Sequence, residues 1–408
     1  MKDLKKYFPF YDRQSNLIYF DSSATSLKIK NVIDAEMKFL SENGSNPHAV
    51  DYKKGFEAFE IIKNARQLTQ EFINAKKVNE IIFTSGTTHS INLLANGLKK
   101  IIKKDDEILV TELEHSANLL PWIALANSVG AKVKKIKLNE DFTIDHESLK
   151  LQLSDKTKIV SFASVYNTVG AKNDVKLITK VIKEFNINII VHVDAAQSIG
   201  HTKTDVTDSN IDFMSWSFHK MYGPFGVGCL YGKYELLNQL EPLFYGGGMS
   251  LKIEENLIDY SLSSLPEKLE GGTPNISAIA GVVESIKFIN LIGLDQIEEH
   301  EITLKDYFKI KVKENNLNDH ITFYNLDTKS PIILFNVKGV NPQDITNFLD
   351  EKYNILVRGG ANCARRIEGV IGTKIAIRAS FGINNNKAEI DQFIEALKDT
   401  NSFLDVLF

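Results

Sequence analysis

Between residues 80 and 232 short apolar runs alternate with helical patterns, and few folds can accept such a chain. EIIFTS, EILVTEL, AKVKKIKL, KIVSFASV, NIIVHVD, FMSWS and VGCLYG read as strands; THSINLLANGLKKII, ANLLPWIALANSVG and VKLITKVIKEF read as helices. Strand and helix in alternation build an α/β unit with a mostly parallel sheet. The unbroken apolar character of KIVSFASV and NIIVHVD fits strands covered on both faces. Ligands of such sheets gather at the carboxyl ends of the strands. His115, Asn167, Asp194 and Lys220 all fall at or just after such ends.

Beyond Pro274 the pattern changes. NISAIAGVVESIKFINLIG and LDQIEEHEITLKDYFKIKVKE read as two long amphipathic helices that lead the chain out of the first domain. ITFYNL, PIILFNVKG, a helix near 342 to 352, ILVRGG, KIAIRASFG and a final helix from 387 then read as a small α+β domain. With 408 residues the chain has room for both domains, and 43% hydrophobic with 25% charged residues is the balance of a globular protein. A net charge of -4 offers no overall electrostatic attraction for nucleic acid or an anionic membrane. MKDLKKYFPFYDRQ lacks the apolar run of a signal peptide, and no stretch reaches the roughly 18 apolar residues of a membrane span. The expected location is the cytoplasm.

Asp194 ends a strand, and Lys220 follows it by 26 residues in SWSFHKMYGPFGVG, between two apolar segments. A carboxylate and a lysine brought together in this way suit a pyridoxal-phosphate enzyme. The lysine forms a Schiff base with the cofactor, and the carboxylate keeps the pyridine nitrogen protonated so that the ring accepts electrons. The alternative for Lys220 is a solvated loop lysine. The turn TSGTTHS places Gly86, Thr87 and Thr88 at a helix start, where free amides and hydroxyls bind phosphate; the alternative is an ordinary helix cap. GxGxxG and GxxxxGK[ST] are both absent. His115 could lie over a bound pyridine ring. Arg378 could grip a substrate carboxylate in bidentate fashion, or form a surface ion pair. Two cysteines exclude a disulfide framework and a cysteine-rich metal site. Cys229 sits in an apolar run and is expected to be inert; Cys363 lies among Arg358, Arg365 and Arg366, which would favour a thiolate.

These residues lie within motifs that run in order from YFDSSATSLK through FTSGTTHSINLLANGL, LEHSANLLPW, VYNTVGA, VDAAQSIGH, SFHKMYGPFGVGCLYGK, YGGGM and EGGTPN to VRGGANCA and IRASF. In them the chain resembles the cysteine desulfurases of the class V aminotransferase group, and most closely the SufS type, whose cysteine sits on a short segment. The resemblance implies an α/β fold of the type I pyridoxal-phosphate class, with a mostly parallel seven-stranded sheet in a large domain (21–285). Residues 1–20 and 286–408 would form the small domain. It implies that Lys220 holds the cofactor, Asp194 its pyridine nitrogen and Gln197 its phenolic oxygen, while His115 stacks on the ring and Asn167 helps orient it. Thr87, Thr88, Ser217 and His219 would bind phosphate, with Thr273 reaching from a second subunit of a homodimer. Arg378, with Asn167 and Arg358, would hold the carboxylate of L-cysteine, and Cys363 would take its sulfur as a persulfide. No metal is implied.

Some positions depart from that family. Phe218 stands where glycine commonly precedes the His-Lys pair, Phe225 where a small residue is usual, Asn362 in place of a frequent histidine, and Tyr52 likewise; INNNKAE replaces the usual run near the C-terminus. None removes a reacting group. The expected function is cysteine desulfuration to alanine and persulfide for iron-sulfur assembly, with sulfur passed to an acceptor of the SufE or SufU type. A selenocysteine lyase, another class V lyase or aminotransferase, and a non-catalytic sulfur-transfer scaffold are the alternatives.

Overall fold

The computed structural model describes residues 4–361 and 366–407. A two-residue strand, β1 (Ile18–Tyr19), precedes helices α1 (Lys30–Glu42) and α2 (Lys53–Phe72). The alternation continues as β2 (Ile81–Thr84), α3 (Thr87–Gly97), β3 (Glu107–Thr111), α4 (Leu120–Val129), β4 (Lys132–Ile136), α5 (His146–Gln152), β5 (Thr157–Ala163), α6 (Val175–Phe185), β6 (Ile190–Asp194), β7 (Phe213–Ser217) and β8 (Gly228–Gly232). A single turn α7 (Tyr234–Leu237), the hairpin β9 (Ser250–Ile253) and β10 (Tyr260–Leu262), α8 (Ile276–Ile292) and α9 (Leu294–Glu314) come next. The last part holds β11 (Ile321–Phe323), β12 (Ile332–Val337), α10 (Pro342–Tyr353), β13 (Ile355–Leu356), β14 (Arg358–Gly360), α11 (Glu368–Ile371), β15 (Ala376–Ser380) and α12 (Lys387–Leu407).

The seven-stranded sheet runs β2-β8-β7-β6-β5-β3-β4. Pairs among β3 to β7 are parallel, while β8 is antiparallel to both β7 and β2. The carboxyl ends of β2, β3, β5, β6 and β7 therefore share one edge. Strands β5 to β8 are buried almost throughout, as continuous apolar runs require when helices cover both faces. The edge strand β2 has its outward Phe83 N–H taken by Glu270 at 2.6 Å. Arg66 of α2 holds the same carboxylate through two nitrogens at 2.6 and 2.8 Å, so the exposed edge is closed by a fixed ion pair.

Helices α1 and α2 occupy residues to which the sequence pattern assigns no element, and both pack on α8. That contact explains the apolar character of α8: Ile279, Val282, Ile286 and Ile289 are each fully buried beneath them and the sheet. A second core lies between the antiparallel sheet β11-β12-β15-β14 and helices α9, α10 and α12, around Phe308, Phe335, Phe381 and Phe393. β1 pairs in parallel with β13, so the N-terminal segment joins the C-terminal part of the fold before the large sheet begins. Among the described residues no single helix is long and apolar enough to cross a membrane.

One close approach at the sheet edge shapes everything built there. Thr84 pairs with Gly228, and Gly86 crosses directly over that glycine: a Cβ on Gly228 would lie 2.4 Å from the Gly86 Cα. Gly86 itself takes φ +155°, open to glycine, as the chain turns from β2 into α3. A Gly228→Ala variant is expected to lose about 1–3 kcal/mol of stability through overpacking. Thermal or urea unfolding, with Ala substituted at exposed Gly369 as the control, checks this.

Candidate active site

Lys220 ends a single 3-10 turn, Phe218–Lys220, that leaves β7 at the carboxyl edge of the sheet. The turn closes on itself through Met221 N–H and Gly223 N–H, both donating to the Phe218 carbonyl. Phe218 is fully buried, with its ring at 6.0 Å from Trp216 and 6.4 Å from Phe83. Phe218 thus anchors the turn in the core. Tyr222, just beyond, is held at φ +62°, a strained value for an aromatic residue, with its N–H donating to Ser26 Oγ at 2.6 Å.

Asp194 closes β6, and its Oδ1 accepts from Ala196 N–H at 2.9 Å. Burial pushes its carboxyl up, while the Ala196 amide and the Lys220 ammonium pull it down. Lys220 is pulled down to about 8 by burial, with Arg378 and Arg358 adding to the effect and Asp194 opposing it. A buried carboxylate is costly unless a cationic or hydrogen-bond donor meets it.

The turn from β2 brings α3 to the same place. Thr87 donates its N–H to Ser217 Oγ at 2.7 Å, and the two hydroxyls lie 2.8 Å apart. Thr88 is exposed in the first helical turn, where amides have no intrahelical acceptor. Across the cavity His115 caps a short turn, its Nδ1 accepting from Ala117 N–H at 3.0 Å, which leaves the proton of the neutral ring on Nε2. Burial and the cations Lys220, Arg378 and Arg358 push His115 down to about 4, so it is neutral across the physiological range. Gln197 donates from Nε2 to Ser23 O at 2.8 Å.

Arg378 comes from β15 in the other core. It is 2% exposed, so in place of the surface ion pair considered from sequence a buried guanidinium donates to Asn167 O at 2.9 Å and to half-buried Asp21 Oδ1 at 2.9 Å. Arg358 stands opposite it in register on β14. Thr87, Thr88, His115, Asn167, Asp194, Gln197, Ser217, His219, Lys220, Arg358 and Arg378 all line one cavity of about 210 Å³. Ser23 and Ala24 line it too. They belong to the YFDSSATSLK motif, which marked the segment without assigning its residues a role. Thr273 is outside the cavity of its own chain, its Oγ1 accepting from exposed Asn46 Nδ2 at 3.3 Å. Cys363 lies outside the described residues; Cys229 is fully buried in β8, and burial pushes its thiol up. A larger groove, about 760 Å³, has charges such as Lys176 and Asp208 that neutralise each other at 2.7 Å.

The donor set suits pyridoxal phosphate. A buried carboxylate, hydroxyls beside the amides of a helix start, an amine of lowered pKa and two guanidiniums line the same cavity. Gly86 keeps the floor under the hydroxyls open, since a Cβ there would lie 3.2 Å from Ser217 Oγ.

The family model described as Aminotransferase class-V matches residues 18–393. A probable cysteine desulfurase of Ureaplasma parvum serovar 3 is 42% identical over 399 residues, covering 98% of this chain and 97% of that protein. The apo structure of a cysteine desulfurase from Thermococcus onnurineus NA1 superposes with a TM-score of 0.91 at 32% identity, covering 98% and 97% of the two chains. The cysteine desulfurase CsdA of Escherichia coli gives 0.89 at 30% identity, covering 98% of each.

Only the neutral amine of Lys220 can attack an aldehyde. With a pKa of about 8, about a tenth of it is neutral at about pH 7, against about three in ten thousand for an ordinary lysine. Capture of pyridoxal phosphate by the cofactor-free chain should therefore speed up about tenfold per pH unit on the acid side and level off above about pH 8. Asp194→Asn removes the charge that raises the lysine's pKa, so the plateau should begin at lower pH. Stopped-flow absorbance of both proteins, with Lys220→Ala as the blank, measures this.

Proposed function

The chain belongs to the class V aminotransferase family, and on that premise we propose that it is a pyridoxal-phosphate-dependent L-cysteine desulfurase. The observation that carries this reading is the convergence of Lys220, Asp194, the start of α3 and Arg378 on one cavity. When bound, the cofactor supplies an electron sink for the substrate's carbon centre. The chain's own residues would hold it by both ends: Asp194 at the pyridine nitrogen, Thr87, Thr88, Ser217 and His219 at the phosphate, Gln197 at the phenolic oxygen and His115 over the ring. Lys220 would be the covalent anchor and, once displaced by the substrate amine, the group that moves protons at the substrate carbons.

Arg378 would receive the carboxylate of L-cysteine, with Arg358 and Asn167 beside it. Its guanidinium is already oriented by Asn167 O and Asp21, so little rotamer freedom is lost when the substrate arrives. Cys363 follows Gly360 of β14 by three residues in sequence. Its thiolate would form the new S–S bond as the substrate's C–S bond breaks, leaving a persulfide on the enzyme and, after protonation of carbon, alanine.

The SufS type is the finer reading, supported by the short RGGANCA segment. On it the enzyme is a homodimer in the cytoplasm, divided into 21–285 and 1–20 with 286–408, feeding iron-sulfur assembly through a SufE- or SufU-type acceptor. The hairpin β9-β10 supports the dimer: Leu251, Ile253 and Tyr260 are 72%, 63% and 56% exposed, beside exposed Phe244 and Tyr245. An apolar surface of that kind is typical of a covered face. Gly272 N–H donates to Gly247 O at 2.8 Å, tying the Thr273 loop to the same region.

L-Cysteine should yield alanine, with sulfide released when a reductant is present. Cys363→Ser should capture cofactor normally but retain no sulfur label from substrate, and peptide mapping should find none on buried Cys229. Absence of alanine from the wild-type chain overturns the desulfurase reading; label on Cys229 overturns the role of Cys363.

A further inference from the structure

Two residues that the reaction leaves unused meet behind His219. Lys28, from the N-terminal motif, and Phe225, one of the departures from the family, lie 4.4 Å apart, ammonium over ring. The Phe225 ring stacks on His219 with centroids 5.5 Å apart and planes 18° from parallel. Lys28 Nζ also donates to Ser26 O at 2.6 Å, His219 O at 2.8 Å and Thr25 Oγ1 at 3.0 Å. Three oxygens and a π face around one amine are the surroundings of an ammonium. Burial pulls Lys28 down to about 7, and the Glu36 carboxylate opposes that.

The direction in which the Thr25 hydroxyl points its proton sets the tautomer of the His219 ring. Thr25 Oγ1 lies 2.9 Å from the His219 carbonyl, but that oxygen has two lone pairs, and Ser26 N–H (3.1 Å), Ser26 Oγ (3.1 Å) and Lys28 already converge on it. Ser26 O already accepts from Lys28 at 2.6 Å and lies 3.4 Å from Thr25 Oγ1, a long contact for a hydroxyl. The nearer acceptor with no other donor on it is Nδ1 of His219, 3.1 Å from Thr25 Oγ1. A Thr25 hydroxyl that accepts from Lys28 and donates to Nδ1 leaves the ring proton on Nε2. The ring itself is neutral, pushed down to about 3 by burial and by the charges of Lys220 and Lys28. A neutral imidazole offers a phosphate one N–H at most, so the tautomer determines whether it binds or repels.

We propose that Lys28, acting through Thr25, sets the His219 tautomer that donates Nε2–H to the cofactor's phosphate, and that Phe225 holds the ring in plane. Lys28, Thr25 and Phe225 are then positioning residues for phosphate, acting through His219. The inference rests on the pyridoxal-phosphate reading of the cavity.

Pyridoxal, which lacks the phosphate, separates this role from a merely structural one. The full-length chain is freed of cofactor and titrated with pyridoxal phosphate and with pyridoxal, with visible absorbance as the readout. Lys28→Met and Thr25→Val should lower pyridoxal-phosphate affinity by about tenfold or more, as loss of a hydrogen bond to a charged group does, and change pyridoxal affinity by less than about twofold. Thr25→Ser, which keeps the hydroxyl, should behave as wild type, and Phe225→Ala should show a smaller loss confined to pyridoxal phosphate. Equal losses for both ligands, no loss for either, or a Thr25→Ser variant as weak as Thr25→Val would each overturn the inference. A wild-type chain that captures neither ligand would overturn the cofactor reading and this inference with it.

Discussion

The turn that carries Lys220 is held by side chains from widely separated parts of the chain, and the site depends on that grip. The His219 carbonyl accepts from Ser26 and Lys28, with the Thr25 hydroxyl packed beside it. The ring of His201, paired with Glu301 of α9 at 2.9 Å, donates to the Lys220 backbone carbonyl. Ser285 of α8 donates to Met221 O, and Tyr222 N–H is taken by Ser26 Oγ. Each bond contributes about 0.5–1.5 kcal/mol, and a buried partner left unmet costs about 1–3 kcal/mol. Together they offset the strain of a buried tyrosine at positive φ and fix a long, flexible side chain at its root.

The same N-terminal segment also links the two cores. Asp21 forms a parallel bridge with Ser380 and pairs with Arg378, while Ser23 N–H donates to Ser380 Oγ at 2.9 Å. Two residues further on, Thr25 and Ser26 hold the Lys220 turn. A short stretch of extended chain thus sets the distance between the lysine and the arginine, which come from different sheets. The shape of the cavity then depends on both cores.

Electrostatically the cavity is built for anions. Lys220, Arg358 and Arg378 face it, and their mutual repulsion is part of what lowers the lysine. Asp194, buried in the cavity wall, is the carboxylate that acts most strongly on the lysine, with Asp21 adding to it. A ligand with a phosphate, a carboxylate and a ring nitrogen able to carry a proton satisfies this distribution with few charges left unpaired.

Much of this was legible in the sequence because it is local. Strand and helix periodicities placed the alternating elements between residues 80 and 232 apart from the short helix α5, and the helices α8 and α9, because burial on one or both faces leaves its period in neighbouring residues. For the same reason the positions of Asp194, Lys220 and the α3 start could be read directly: each sits where a strand pattern ends. Helices α1 and α2 were not legible, since their buried faces are defined by contact with α8 more than 200 residues away. Nor was the burial of Arg378, which an isolated IRASF cannot reveal, or the anchoring of Phe218 between Trp216 and Phe83. The link from Lys28 through Thr25 to His219 spans 194 residues of chain. By itself the sequence determined which residues are candidates for the chemistry and on which elements they sit; the tertiary structure alone decided which of them meet, because hydrogen bonds and ion pairs between distant segments leave no period in the chain.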